Sequence, residues 1–177
     1  MTQPEIRRGA EAIAAQVVGL FDRSFGASEG VDEGAAIAGL VSRLIDEGAD
    51  VFTAWLDGRI AGAICFTPLT YDDPRGVALL SPVAVDPAVQ GHGIGQALIR
   101  AALDRLAAEG VAIVVTYGDI AFYGKVGFAP VTTDVVPAPQ ALSQSEGWIA
   151  QSLAGAPITP LPAPARAVPA FDDPDLW

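Results

Sequence analysis

Two short stretches of this 177-residue chain carry residue types that do chemistry together. Gln90 to Gly95 read Gln-Gly-His-Gly-Ile-Gly, between an apolar run ending Val83-Ala84-Val85 and an apolar helical pattern that begins near Ile94. Downstream lies Phe122-Tyr123-Gly124-Lys125-Val126-Gly127-Phe128. Glycines at a helix start let backbone N–H groups close on an anion, and the helix dipole favours negative charge there. A phenol keeps its proton at neutral pH and can hand it to a developing anion. The pair suggests an enzyme that holds a phosphorylated cofactor.

Three loop patterns compete for Gln90–Gly95. A phosphate loop of the Walker kind needs Gly-Lys-Ser/Thr at its end, and Ile94-Gly95-Gln96 stands there instead. A dinucleotide fingerprint needs Gly-x-Gly-x-x-Gly directly after the first strand, whereas Gly91, Gly93 and Gly95 alternate in mid-chain. The third pattern, Gln/Arg-x-x-Gly-x-Gly/Ala, is met by Gln90, Gly93 and Gly95. In this, and in Val-Ala-Val-Asp-Pro before the loop and Phe-Tyr-x-x-x-Gly-Phe after it, residues 5 to about 135 resemble the GNAT N-acetyltransferase superfamily. Gly118 to Gly124 looks like its YhbS-type branch.

The resemblance implies acetyl-CoA as cosubstrate and a primary amine, on a small molecule or a peptide, as acceptor. It implies that backbone N–H groups at Gln90, Gly91, His92, Gly93, Ile94, Gly95 and Gln96 face the CoA diphosphate. It also implies a pantetheine arm inserted beside a splayed strand, with N–H groups at Val83, Ala84 and Val85 polarising the thioester carbonyl. Tyr123 would be the general acid and Phe122 would pack against the CoA. From the residues alone, without the motif, Tyr123 reads rather as a core tyrosine beside Phe122 with its hydroxyl satisfied locally; the motif tips the reading to the acid. His92, the single histidine, is expected to point outward to phosphate or water and not to act as a base. The family's usual Asn falls, by register from Tyr123, on Thr116, with Asp119 where Ala is common. No Glu lies on residues 77–85, so Ser81, Asp119 and Asp72-Asp73 are the candidate bases; each also reads as a loop or capping group. An alternative function is a GNAT-fold module that binds acyl-CoA without turning it over.

The elements that must position these residues follow from periodicity. Residues 5–8 read as a strand; 10–24 and 32–47 as amphipathic helices; 50–56 and 60–67 as strands around the Asp57-Gly58 turn. Tyr71 to Gly76 is a loop, and 77–85 a strand that Pro82 should bulge or leave partly unpaired. A largely buried helix over 94–109, a central strand over 111–116, a short helix near 120–125 and a strand near 128–135 complete the series. The expected fold is α/β (α+β), a GNAT-type mixed, strongly twisted sheet of about six to seven strands, with helices on both faces and strands splayed at the CoA site. A GNAT domain is expected over 1–136. Nine of the fourteen prolines lie from Pro130 onward, so 137–177 is expected to be an irregular extension, packed on the domain or on a partner chain, a homodimer included. Acceptor walls are expected from 25–32, 69–76 and this tail.

Composition narrows the partners. Ten basic against twenty-one acidic residues give a formal charge of −11, which repels phosphate backbones and anionic lipids, so neither nucleic acid nor membrane is expected. A cationic amine would be favoured. One Cys, Cys65, and one His argue against a structural zinc site, and no metal is expected. The polar start and the lack of a long apolar run suggest the cytoplasm.

Overall fold

Glycine decides how the first two helices meet. The computed structural model describes residues 2–177, which divide into two units: residues up to Phe66 with Pro82–Ala102, and Thr67–Ser81 with Leu103–Trp177. In the first unit β1 (Glu5–Arg8) is followed by α1 (Ala14–Glu29) and α2 (Val31–Asp46). Only Gly30, at φ +104°, separates the helices, so the expected loop over 25–32 is a single residue. α1 runs five residues beyond the expected end because Gly30 reverses the chain unaided, in a conformation that L side chains rarely adopt. Just past the reversal the backbones touch: a Cβ on Gly34 would stand 2.6 Å from the Asp22 carbonyl and 2.8 Å from the Gly26 nitrogen. Gly34→Ala is therefore expected to destabilise the protein by about 2 kcal/mol, lowering the melting midpoint by about 4–8 °C. Gly39→Ala is the control: it sits on the same helix with nothing within 4 Å of a new Cβ and should hold or raise the midpoint. Equal melting of the two variants in circular dichroism would refute the close approach.

β2 (Asp50–Leu56) and β3 (Arg59–Pro68) form the hairpin that Asp57-Gly58 announces; both turn residues have positive φ, +48° and +74°, which matches the twist of paired strands. β1 adds antiparallel to β2, where Arg8 binds Asp50 at 2.6 Å and lies over the Phe52 ring. Phe52 and Phe66 meet edge to face at 5.8 Å. Cys65 is fully buried and burial pushes its thiol up to about 12, which makes it a packing residue.

β4 (Gly76–Val85), α3 (Ile94–Ala108) and β5 (Val111–Tyr117) make the parallel crossover. β4 has its irregularity against β5 at Gly76–Val77, and its rungs with β5 stop at Leu79; Pro82, buried, lies beyond them, in the part of the strand that is unpaired on that side. The strand near 128–135 is only β6, Ala129–Pro130, after α4 (Ile120–Tyr123). The tail supplies the missing strand: β7 (Trp148–Ser152) pairs antiparallel with β5 and with β6. The seven strands lie in the order β1-β2-β3-β4-β5-β7-β6. Proline is absent from Trp148–Ser152, so nothing in that short window forbids a ladder.

The rest of the tail is ordered within the second unit. Tyr71 donates to the Pro137 carbonyl at 2.7 Å, Thr70 pairs with Arg166, and Arg75 donates to Thr159 and Pro160. Burial raises the Tyr71 phenol above its ordinary value. Trp177 is buried among Tyr117, Trp148 and Phe171. Among the described residues no helix is long and apolar enough to cross a membrane.

Candidate active site

The glycine loop belongs to the first unit and is held from behind. The Asp86 side chain accepts from the Ala88 N–H at 2.9 Å and pairs with Arg23 of α1 at 3.2 Å. Gln90 Nε2 donates to the Val85 carbonyl at 2.9 Å, and Ser24 Oγ donates to the same oxygen at 3.0 Å. The Gln90 side chain thus fastens the loop to the end of β4. Gly91 and Gly93 have φ of +78° and +77° with open space where a Cβ would stand, so conformation and not crowding demands glycine there. The first bond of α3 runs from the Ala97 N–H to the Gly93 carbonyl at 3.0 Å. The N–H groups of Ile94, Gly95 and Gln96 precede it and have no partner within the helix. Ile94 and Gly95 are buried and the tip from Gln90 to Gly93 is exposed. Open positive-φ glycines leading into free helix donors suit a diphosphate.

His92 is exposed, as expected, with Nδ1 at 3.2 Å from the Val89 carbonyl. A carbonyl can only accept, so Nδ1 is the donor in that contact. Along β4, Val83 and Val85 are half-buried while Ala84 is buried, so Ala84 can offer a ligand only its backbone. A Cβ on Gly62 of β3 would lie 3.3 Å from the Ala84 carbonyl and 3.5 Å from both Ile94 and Leu98; the start of α3 packs directly on this strand.

The phenol belongs to the second unit. The β4–β5 ladder runs from Gly76 opposite Val111 to Leu79 opposite Val115, whereas β4 continues to Val85. At the next position Thr116 Oγ1 donates to the Leu80 carbonyl at 2.7 Å, a side-chain bond where the following rung would stand. Beyond β5, Asp119 caps α4 by accepting from the Ala121 N–H at 2.8 Å. Tyr123 ends α4 with its ring edge to face against Phe122 at 5.0 Å and Phe128 at 5.6 Å. The ring also lies on Gly118, where a Cβ would stand 2.7 Å from Cε2. Burial pushes the Tyr123 phenol up, and a hydrogen bond with Thr116 draws it part of the way back. The group therefore holds its proton throughout the neutral range, as an acid must.

Of the candidate bases, the three carboxylates are otherwise engaged, and Ser81 is half-buried on β4. Asp119 is the cap, and Asp72 pairs with Arg166 at 3.4 Å. Asp73 binds Arg75 at 2.8 Å, and the guanidinium holds its carboxyl down at about 2. That link is complete above the ordinary carboxylate value and is lost as pH falls towards 2. A cleft of about 500 Å³ opens beside β5, lined by Tyr117, Gly118, Asp119, Ser143, Gln144 and Glu146. Tyr117 accepts from the Gln144 N–H at 2.7 Å, fixing that wall. Residues 143–146 carried no sequence signal beyond lying in the tail. Among the described residues no group of three or more His, Cys, Asp or Glu could hold a metal ion.

A mixed sheet whose parallel pair parts midway, with a glycine loop opening the crossover helix, is the fold of CoA-dependent GNAT transferases. Residues 15–128 match the Acetyltransferase (GNAT) family, and the chain belongs to it. It is 33% identical to the uncharacterised N-acetyltransferase YjhQ of Escherichia coli K12 over 144 residues, 77% of each chain. It is 37% identical to YhbS of the same organism over 76 residues, 41% of this chain and 44% of that one. The crystal structure of Escherichia coli YhbS in complex with CoA superposes with a TM-score of 0.73 at 27% identity, covering 87% of this chain and 83% of the other. A GNAT family acetyltransferase from Brucella melitensis in complex with acetyl-CoA gives 0.75 at 26% identity, covering 97% and 100%.

Proposed function

We propose that this acetyltransferase moves an acetyl group from acetyl-CoA directly to a primary amine, in the cytoplasm, on a small molecule or a peptide. The observation that carries the reading is the loop at Gln90–Gln96: its open, positive-φ glycines lead into free N–H groups at the start of α3. The CoA and acetyl-CoA bound by the Escherichia coli and Brucella proteins support the same ligand here. The loop and helix donors hold the diphosphate, backbone N–H groups at Val83–Val85 receive the thioester carbonyl, and Phe122 packs against the cosubstrate. Tyr123 supplies the proton. The amine nitrogen bonds to the acetyl carbon, the carbon–sulfur bond breaks, and sulfur takes the Tyr123 proton. The proton shed by nitrogen then restores the phenol. The acidic surface favours a cationic amine during encounter.

Calorimetry of the full chain with acetyl-CoA should give saturable binding, and thiol release should appear with at least one member of a panel of aliphatic, amino-acid and peptide amines. Binding with no release for any amine would count against direct amine transfer and for a binding module.

A further inference from the structure

We propose that Ser24 is a positioning residue for the cosubstrate. From α1 it grips the last carbonyl of β4 and so orders the entry to the glycine loop before acetyl-CoA arrives. The inference rests on the reading of Gln90–Gln96 as the diphosphate loop.

The bond that carries it is unusual for a helical serine. A hydroxyl inside a helix commonly donates to the carbonyl four residues back. Ser28, on the same helix, does so, donating to the Ser24 carbonyl at 3.2 Å. Ser24 instead reaches Val85, 61 residues away in sequence, at 3.0 Å. It is 7% exposed, so water has little access to that bond. The peptide it grips is held on both sides. The Val85 carbonyl also accepts from Gln90 Nε2 at 2.9 Å, and the N–H of the same peptide, that of Asp86, donates to the Ala61 carbonyl of β3 at 2.8 Å. From Asp86 to Gln90 the chain closes on itself: the Ala88 N–H donates to the Asp86 side chain and the Val89 N–H to the Asp86 carbonyl, both at 2.9 Å. The glycine loop starts from this ring.

The holds on the ring are unequal. The Arg23–Asp86 pair also links it to α1, but at 3.2 Å and with the Arg23 side chain 57% exposed it is a surface ion pair that water and salt weaken. The Gln90 bond is exposed as well, so water competes for its donor. The Ser24 bond is neutral and shielded. An empty loop with positive-φ glycines and donors without partners has many conformations open to it. Binding must give them up, and that ordering weakens affinity. Ser24 orders the loop's entry beforehand. It therefore acts on how tightly acetyl-CoA is taken up and not on the chemical step, and it does so without touching the cosubstrate.

The test compares the full chain with Ser24→Ala and with Ser24→Thr, which keeps a hydroxyl. Val85 retains the Gln90 bond in Ser24→Ala, so its carbonyl is not orphaned and the fold should hold. The calorimetric dissociation constant for acetyl-CoA is expected to rise about fivefold in Ser24→Ala and to recover in Ser24→Thr. At saturating acetyl-CoA, kcat with the most active amine of the panel should stay within about twofold of the parent. A mere loss of folded protein would do the reverse, lowering kcat and leaving the dissociation constant unmoved. Without ligand, hydrogen exchange read by mass spectrometry should be about fivefold faster over residues 86–96 in Ser24→Ala and unchanged in the β2–β3 hairpin. Parent-like exchange over 86–96 overturns the proposal. Faster exchange there with an unmoved dissociation constant overturns the reading of the loop as the diphosphate site instead, and leaves the hold of Ser24 on the loop standing.

Discussion

Replacing Tyr123 with Phe is expected to lower kcat by about 10²–10³-fold while leaving the dissociation constant for acetyl-CoA within about twofold of the parent. The ring of Tyr123 is held by Phe122, Phe128 and Gly118, and Phe preserves all three contacts, so stability and the surrounding packing should barely change. Only the hydroxyl is lost. A thiolate leaving without a proton is a good leaving group but a costly charge in a dry site, so the penalty should shrink as pH falls and solvent supplies the proton. Single-turnover thiol release measured from mildly acidic to alkaline pH would read this. Parent-like turnover across that range would show that Tyr123 is a packing residue.

Trp177→Ala is expected to cost about 3–5 kcal/mol and to lower the melting midpoint by about 10 °C. Trp177 is 5% exposed, stacks on Tyr117 at 6.3 Å, meets Trp148 at 5.9 Å and Phe171 at 6.0 Å, and donates through its indole to the Phe171 carbonyl at 3.0 Å. The cavity opened would lie against Trp148, which is 1% exposed and donates to the Val136 carbonyl. Trp177→Phe should recover part of the loss by refilling the space without restoring the indole bond. Thermal melts of the two variants decide it; a Trp177→Ala midpoint within about 1 °C of the parent would mean the tail does not stabilise its unit.

How far the sequence spoke depended on how local each signal was. The glycine loop, the Asp57-Gly58 turn and the amphipathic helices are local, and each appears at or near its expected place. The splay was expected too, from Pro82, yet the ladder between β4 and β5 stops at Leu79 and Val115, before that residue. Thr116 ends it in its own way by spending a side chain on the Leu80 carbonyl. The reversal at Gly30 was missed because a one-residue connection leaves no run of turn formers to read. β7 was missed because five strand residues inside a proline-rich tail have too little periodicity, and their pairing with β5 is a long-range fact. Gly118 reads as a loop glycine until the Tyr123 ring is seen lying on it.

The place of β7 between β5 and β6 sets an order on synthesis. Every hydrogen bond, ion pair and ring contact described for the first unit is made by residues up to Ala102, all of which leave the ribosome before β5 does. β5 and β6 then wait for Trp148–Ser152, and the aromatic cluster waits for Trp177. While it waits, Val111–Tyr117 is a nascent strand with an unfilled edge and an apolar sequence, the kind of segment that recruits chaperones or sticks to its neighbours. Released chains that end between residues 118 and 147 should therefore be less soluble than the full chain.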